Sequence, residues 1–186
     1  MHKPLLGALA LTLIALPFPA FATGYISAYT DLDTAQCSVL VADDFSTSYA
    51  CPGYKGMPVW VTEGDLRFMV SFGFGAPDAK AATQTPPPFN TIGSKIEWRL
   101  SNEAGGFAPI AAITRYKLDA DEAQGRPEGE VLVVTKISPE ATCHIAYIDA
   151  RANPNANEMA RQVADDKAKS FDCANEPEEV GTFKAW

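Results

Sequence analysis

The sequence predicts an α+β fold: an antiparallel β-sheet of about six or seven strands with one C-terminal amphipathic helix packed on a face and two disulfides. Three observations lead to this prediction. Apolar residues alternate over short runs bounded by Gly, Pro, Asn and Asp, which is typical of strands. A stripe of apolar residues at helical spacing follows the last of these runs. The four cysteines are an even number in a chain that starts like an export precursor.

Residues 1–22 have the order of a secretory signal peptide. Lys3 supplies a cationic start, an apolar run covers residues 5–16, and small residues stand at the expected cleavage positions, Ala20 and Ala22. The apolar run is shorter than the roughly 20 residues that a transmembrane helix needs. We therefore expect cleavage after Ala22, a periplasmic or secreted mature protein, and no membrane insertion after cleavage.

The mature chain is predicted to be a single domain over residues 23–175 with an acidic C-terminal tail over residues 176–186. We expect this tail to fray, although Phe183 and Trp186 could pin it. The formal net charge of the chain is −8. An acidic surface repels nucleic acid and attracts cationic partners, and it also keeps an exported protein soluble. We therefore expect a protein partner of cationic character and no nucleic acid.

The clearest local element is a hairpin with arms at residues 58–62 and 66–72. Its tip is formed by Glu63, Gly64 and Asp65, and Gly64 is expected to supply the turn conformation that other residues resist. Apolar residues occupy alternate positions of the second arm, which indicates a half-buried sheet. The tip therefore projects from the predicted sheet.

Further strands are predicted at residues 39–42, 95–100, 109–118, 131–137 and 143–149. In residues 95–100 the apolar side chains face inward, whereas Glu97 and Arg99 face outward. The last two runs carry apolar residues on both alternating faces, as expected for central strands that are covered on both faces. The covering element is predicted to be the helix.

This helix is predicted to start at Asn153 and Pro154, as a cap and a first helical residue, and to run for about five turns. Its apolar stripe packs on the sheet and Asp165 faces water. A helix of this length, folded back on the strand before it, returns its end to that strand's start.

The same geometry predicts the disulfide pairing. The end of the helix brings Cys173 beside Cys143, which leaves Cys37 to pair with Cys51 around the loop that contains Asp43 and Asp44. None of these four cysteines has the spacing of a metal knuckle or a redox motif.

Residues 73–93 lack a regular pattern and contain Pro86, Pro87, Pro88 and Phe89. Long loops inside a compact domain are usually binding loops or disordered connectors. The three prolines give a stiff segment that loses little entropy on binding, which suits protein recognition. The alternative is that Phe89 only tucks the loop against the sheet.

The sequence offers no catalytic constellation. His144 is the only histidine after residue 22, and its place in a central strand indicates a structural role. Residues 119–130 hold acids at three calcium-loop positions but lack the glycine that the sharp turn requires. We predict no catalytic residue, no metal and no cofactor.

Four segments resemble a family of small exported proteobacterial proteins of uncharacterised function. They are CPGYKGMPV at residues 51–59, EGDLR at 63–67, PPFNTIGSKIEWR at 87–99 and CHIAYIDARAN at 143–153. This resemblance implies export, but it carries no activity, ligand or catalytic residue.

The leading functional hypothesis is an exported, non-enzymatic binding module whose contact surfaces are the long loop and the tip at Glu63, Gly64 and Asp65. One form of it is an inhibitor of a cationic enzyme such as lysozyme. The alternatives are a hydrolase that uses two carboxylates and a structural or accessory envelope protein. The sequence assigns no oligomeric state.

Overall fold

The computed structural model describes residues 23–103 and 105–186, so the predicted signal peptide lies outside the described residues. Within this part of the chain there are ten β-strands and one α-helix. In chain order they are β1 (Tyr25–Asp31), β2 (Ser38–Ala42), β3 (Ser46–Pro52), β4 (Pro58–Gly64), β5 (Arg67–Phe72), β6 (Asn90–Ser101), β7 (Ala108–Leu118), β8 (Gly129–Lys136), β9 (Cys143–Asp149), α1 (Ala156–Lys167) and β10 (Glu178–Glu179).

The strands form two sheets. The larger sheet has the order β1-β6-β7-β8-β9-β10 and the smaller one has the order β2-β3-β4-β5. Neighbouring strands are antiparallel except for the short β10, which runs parallel to β9. The predicted α+β class is confirmed, with a six-stranded sheet and a helix packed against it. The smaller sheet adds a third layer.

The core lies in two layers, one on each face of the larger sheet. Val131 and Val133 of β8 point into the layer shared with the smaller sheet, whereas Leu132 and Val134 point into the layer shared with α1. All four residues are buried. The apolar run over residues 131–134 of β8 therefore belongs to a strand that is covered on both faces, as predicted.

Both predicted disulfides are present. Cys37 is bonded to Cys51 at one side of the smaller sheet, and Cys143 at the start of β9 is bonded to Cys173 beyond the helix. The pairing follows from the return of α1 along β9. Each bridge contributes about 3 kcal/mol on the chain-entropy estimate.

The helix is shorter than predicted and starts later. It has 12 residues, and its first residue follows Asn155, which makes no side-chain cap hydrogen bond. Asn153 does not cap the helix either. Its side-chain nitrogen Nδ2 donates to the Thr182 carbonyl at 2.7 Å, and its side-chain oxygen Oδ1 accepts the Thr182 backbone amide at 3.0 Å. Asn153 therefore ties the C-terminal tail to the start of the helix.

The tail packs on the domain instead of fraying. Asp149 accepts the amides of Arg151 and Ala152 and thereby orders the turn before α1. Its second oxygen accepts the Lys184 amide at 3.1 Å. The Trp186 ring packs edge-on against Tyr147, with ring centres 5.3 Å apart. The tail is thus held by polar bonds and by its aromatic end.

The long loop is structured. It contains two short 3-10 helices, Ala76–Asp78 and Lys80–Thr83, and residues from Asn90 onward already belong to β6. The Ala81 amide donates to the Thr142 carbonyl at 3.0 Å, and the Gln84 side chain accepts the His144 amide at 2.8 Å. The middle of the loop is therefore fixed to the larger sheet, whereas the segments near Phe74 and near Phe89 are exposed.

Candidate functional site

The hairpin tip is a two-residue turn formed by Asp65 and Leu66. Gly64 pairs with Arg67 across the strands, and the two residues between them have left-handed backbone angles, with φ of 51° and 58°. The prediction that Gly64 supplies the turn conformation is wrong, because Gly64 is the last residue of β4. A bulky leucine rarely adopts φ > 0, since its Cβ then approaches the neighbouring carbonyl oxygen. Leu66 adopts this unfavourable conformation even though its side chain is 67% exposed to solvent.

Gly64 lies beside a second turn, and a Cβ here would make only ordinary contacts with it. Its partner in β3 is Ser46, and a Cβ at position 64 would lie 3.5 Å from the Phe45 carbonyl oxygen. Asp43 closes this second turn by accepting the amides of Phe45 and Ser46, and these bonds hold the pKa of the Asp43 carboxyl below its ordinary value. Phe45 is left 87% exposed.

Asn90 attaches the proline-rich segment to the tip. The buried side chain of Asn90 donates to the carbonyls of Pro86 and Pro88 and accepts the Phe68 amide at 3.0 Å. The Asn90 amide donates to the Leu66 carbonyl at 3.0 Å. Prolines have no amide hydrogen with which to join a sheet, and here the Asn90 side chain supplies the donors for two of their carbonyls.

Arg67 joins the tip to the aromatic ring of this segment. Its guanidinium carbon lies 5.3 Å from the centre of the Phe89 ring, and its Nη1 is 2.8 Å from an Asp65 oxygen. Both contacts are typical of an arginine that is held in place by a carboxylate and an aromatic face. Phe89 remains 43% exposed.

An acidic loop, residues 119–126, lies on the other side of Phe89. The Asp119 amide donates to the Phe89 carbonyl at 2.9 Å, and Asp121 bridges to Arg126 across a tight turn. Together with the proline-rich segment and Trp186, this loop lines a groove of about 490 Å³. Asp121 accepts the Gln124 amide, as in an ordinary acidic turn.

These segments lie at one end of the molecule, which we call the acidic end. It carries seven carboxylates and two arginines. One of the arginines, Arg67, pairs with Asp65, and the other, Arg126, donates to the Asp119 carbonyl. The acidic end consists of residues 43–45, 63–67, 87–89 and 119–126 together with Trp186.

The structure thus joins two surfaces that the sequence presents as separate. Glu63, Asp65, Pro87 and Phe89 are exposed at the acidic end, whereas Pro86 is buried. The remaining predicted residues, Gly64 and Pro88, are half-buried there.

Sequence reasoning did not identify three contributors: Phe45, Leu66 and the acidic loop. Phe45 and Leu66 lie in turns, where an apolar residue carries no periodic signal. The acidic loop reaches Phe89 through the pairing of β6 with β7, which is not visible in the local sequence.

The residues considered for catalysis have structural roles. Burial, with the nearby charge of Lys80, lowers the pKa of His144 to about 3. The neutral imidazole contacts the Tyr147 hydroxyl through Nδ1 at 3.0 Å. Asp149 is buried in the turn before α1, where both of its oxygens accept backbone amides, whereas Glu63 and Asp65 are exposed. In the described part of the chain, no cluster of three or more His, Cys, Asp or Glu side chains is arranged to hold a metal ion.

Fold and surface define a small disulfide-linked α+β protein with one acidic and partly apolar end. Comparison with known proteins gives no matching family model, no matching curated protein and no matching solved structure. The two disulfides fit an extracytoplasmic protein. No helix within residues 23–103 and 105–186 has the length and apolar character needed to cross a membrane.

Proposed function

We propose that the mature chain is an exported, non-enzymatic binding module that holds a cationic protein at its acidic end. The observation that carries this proposal is the gathering of seven carboxylates and exposed apolar side chains on one surface. An inhibitor of a cationic enzyme such as lysozyme is one form of this function. We propose a periplasmic or secreted site of action, in keeping with the resemblance to small exported proteobacterial proteins.

Charge at the acidic end supports a basic partner. Its only two cations are already engaged, by Asp65 and by the Asp119 carbonyl. The free carboxylates therefore face solvent as an uncompensated negative surface. Such a surface accelerates encounter with a basic protein and gives the complex its orientation, while apolar contacts supply most of the affinity.

The apolar residues at the acidic end support a macromolecular partner. Phe45 and Leu66 are 87% and 67% exposed, so water covers both side chains. Leu66 also holds a left-handed conformation that costs about 1 kcal/mol relative to glycine. Backbone strain of this kind clusters at active sites, ligand-binding segments and switch regions. We infer that Leu66 is an anchor for the partner.

We expect lysozyme, as a cationic test protein, to bind the chain of residues 23–186 saturably at low salt. Replacing Glu63 and Glu122 together with glutamine is expected to weaken binding about tenfold, because each exposed ion pair is worth up to about 1 kcal/mol. Raising the salt from about 20 to about 150 mM is expected to weaken binding by a similar factor, because salt screens exposed charges. Isothermal titration calorimetry measures both effects.

The matched control is Asp78→Asn/Glu140→Gln, which removes two exposed carboxylates outside the acidic end. This variant has the same net charge as the first double variant and should retain the parent affinity. Equal weakening by both variants would mean that only total charge matters. That outcome, or no saturable binding to lysozyme at low salt, would contradict the proposal.

Leu66→Gly separates binding from stability. Asp-Gly is the favoured pair for this two-residue turn, so the variant is expected to raise the free energy of unfolding by about 1 kcal/mol. The same change removes the exposed side chain and should weaken lysozyme binding at least fivefold. Urea denaturation and calorimetry report the two quantities. A variant that is more stable and binds unchanged would show that Leu66 is not an anchor.

No observation favours the hydrolase alternative. Glycoside hydrolysis needs two carboxylates that flank one bond about 5 to 9 Å apart. Asp43 accepts backbone amides within its own turn, and Asp149 is committed to the start of α1. Glu63 and Asp65 project from a convex hairpin tip.

A further inference from the structure

A second, larger groove opens at the opposite end of the molecule. It has a volume of about 920 Å³ and lies at the end of β5 and the start of β7. The acidic end lies at the other ends of the same two strands, at the start of β5 and just after the end of β7. Its lining is mainly apolar and includes Met57, Phe72, Phe74, Pro109, Ile137 and Pro139. This volume is in the range of sites that enclose a small molecule.

Phe74 is the unusual residue of this groove. Its side chain is 90% exposed, although it lines an apolar surface whose floor, Phe72, is buried. Gly73 and Gly75 flank it, and a Cβ built at either position would have no neighbour within 4 Å. Most of the ring surface is therefore in contact with solvent, on a segment that two glycines flank. An apolar ligand in the groove would remove this ring from water, which is favourable.

The rim of the groove is negatively charged. Asp78 and Glu140 are both exposed there, and the salt bridges among residues 23–103 and 105–186 include neither of them. Lys80 also reaches this rim, but its ammonium is paired with the Glu176 carboxylate at 3.8 Å and donates to the carbonyls of Cys173 and Asn175 at 2.9 and 3.1 Å. The charges that remain available to a ligand are therefore carboxylates.

We propose that this groove binds a cationic amphiphile, meaning an apolar chain or ring system that carries one ammonium group. The apolar body would lie along Phe72, Phe74 and Ile137, and the ammonium group would lie between Asp78 and Glu140 at the rim. The proposal is independent of protein binding at the acidic end, because the two surfaces share no residue.

Three decyl compounds with different head groups test the proposal. Decyltrimethylammonium, decyl sulfate and decyl maltoside are titrated into the chain of residues 23–186 below their micelle concentrations. We expect the cation to bind about tenfold more tightly than the sulfate, since two exposed carboxylates together supply about 1.4 kcal/mol. Asp78→Asn/Glu140→Gln should reduce this preference to within twofold and leave decyl maltoside affinity unchanged.

Phe74→Ala should weaken all three compounds about fivefold, because each uses the apolar lining. Glu63→Gln/Glu122→Gln, at the acidic end, should change none of these affinities. Equal binding of cation and sulfate, a preference that survives Asp78→Asn/Glu140→Gln, or no saturable binding of any compound would overturn the proposal. Self-association that is lost in Phe74→Ala, without ligand binding, would assign the groove to a second copy and overturn it as well.

Discussion

Trp98→Ala is expected to lower the free energy of unfolding by about 4 kcal/mol, because it removes the largest fully buried side chain of the core. The Trp98 ring lies edge-on to Phe72, with ring centres 5.3 Å apart. Its indole donates to the Thr30 hydroxyl at 2.9 Å. A Cβ at Gly53 would meet the ring at 2.8 Å, which shows how closely the surrounding chain packs. Such a site collapses poorly around a cavity.

Trp60→Ala is the matched control, because it removes the same residue type from the smaller sheet. Trp60 lies on the outer face of that sheet, is half-buried, and donates to the Thr62 hydroxyl at 3.0 Å. Its loss is expected to cost roughly 1 kcal/mol. Urea denaturation followed by circular dichroism measures both variants. Trp98→Ala should also lower the Tm by about 10 °C. Equal costs for the two variants would contradict the assignment of Trp98 to the inner core.

Periodicity in the sequence was sufficient to predict most of the strands and their buried faces. The alternation around Trp98 gives the correct inward side of β6, and the apolar run of β8 correctly requires two covering layers. The lengths of β9 and the helix were close enough to select the disulfide between Cys143 and Cys173. These features depend on neighbours in the chain, which is why local patterns contain them.

The division into two sheets depends on distant pairs and was not predicted. β1 pairs with β6, whose residues lie about seventy positions further along the chain. The assembly of the acidic end also depends on residues that are distant in the chain, because Asn90 joins the proline-rich segment to a hairpin tip more than twenty residues earlier. Hydrogen bonds of this kind leave no periodic trace in either segment. The residues of the candidate site could therefore be named from the sequence, but not their assembly.

Glu97 and Arg99 show the same limit within one strand. Alternation predicts that both face outward, and they do lie opposite Trp98 on β6. However, α1 covers that face, so both residues are buried: Arg99 pairs with Asp165, which therefore does not face bulk water, and Glu97 pairs with Arg161. Ser27 links the two, since it donates to Glu97 at 2.5 Å and accepts from Arg99 at 2.6 Å. Alternation with a period of two residues predicts on which face of the strand a side chain lies, but it does not predict which element covers that face.

This buried position leads to the second large expected effect. Arg99→Met is expected to lower the free energy of unfolding by about 3 kcal/mol, because it leaves Asp165 without its partner beneath the helix. The guanidinium binds Asp165 in a bidentate manner, with Nε 2.9 Å from one oxygen and Nη2 2.6 Å from the other. The side chains of Arg99 and Asp165 are only 9% and 19% exposed. If one partner is removed, the charge of the other is therefore left poorly solvated.

Arg151→Met is the matched control for the loss of an arginine. Arg151 pairs with Glu128 at 3.6 Å, but the two side chains are 51% and 73% exposed. Solvent screens that pair and the exposed hydrogen bond from Arg151 Nη1 to the Glu128 carbonyl, so the loss of both should cost no more than about 1 kcal/mol. Urea denaturation at two salt concentrations separates the cases, because salt should change the cost at Arg151 more than the cost at Arg99.

The double variant Arg99→Met/Asp165→Leu decides whether the cost comes from an unpaired charge or from lost packing. Removing both charges also removes their desolvation penalty, so the double variant is expected to be within about 1 kcal/mol of the parent protein. Asp165→Leu alone should cost about as much as Arg99→Met. If the two single costs instead add in the double variant, the ion pair contributes no coupling free energy and the loss at Arg99 comes from its packed side chain. A recovery of stability would show that α1 is attached to β6 through paired charges that an apolar contact can replace.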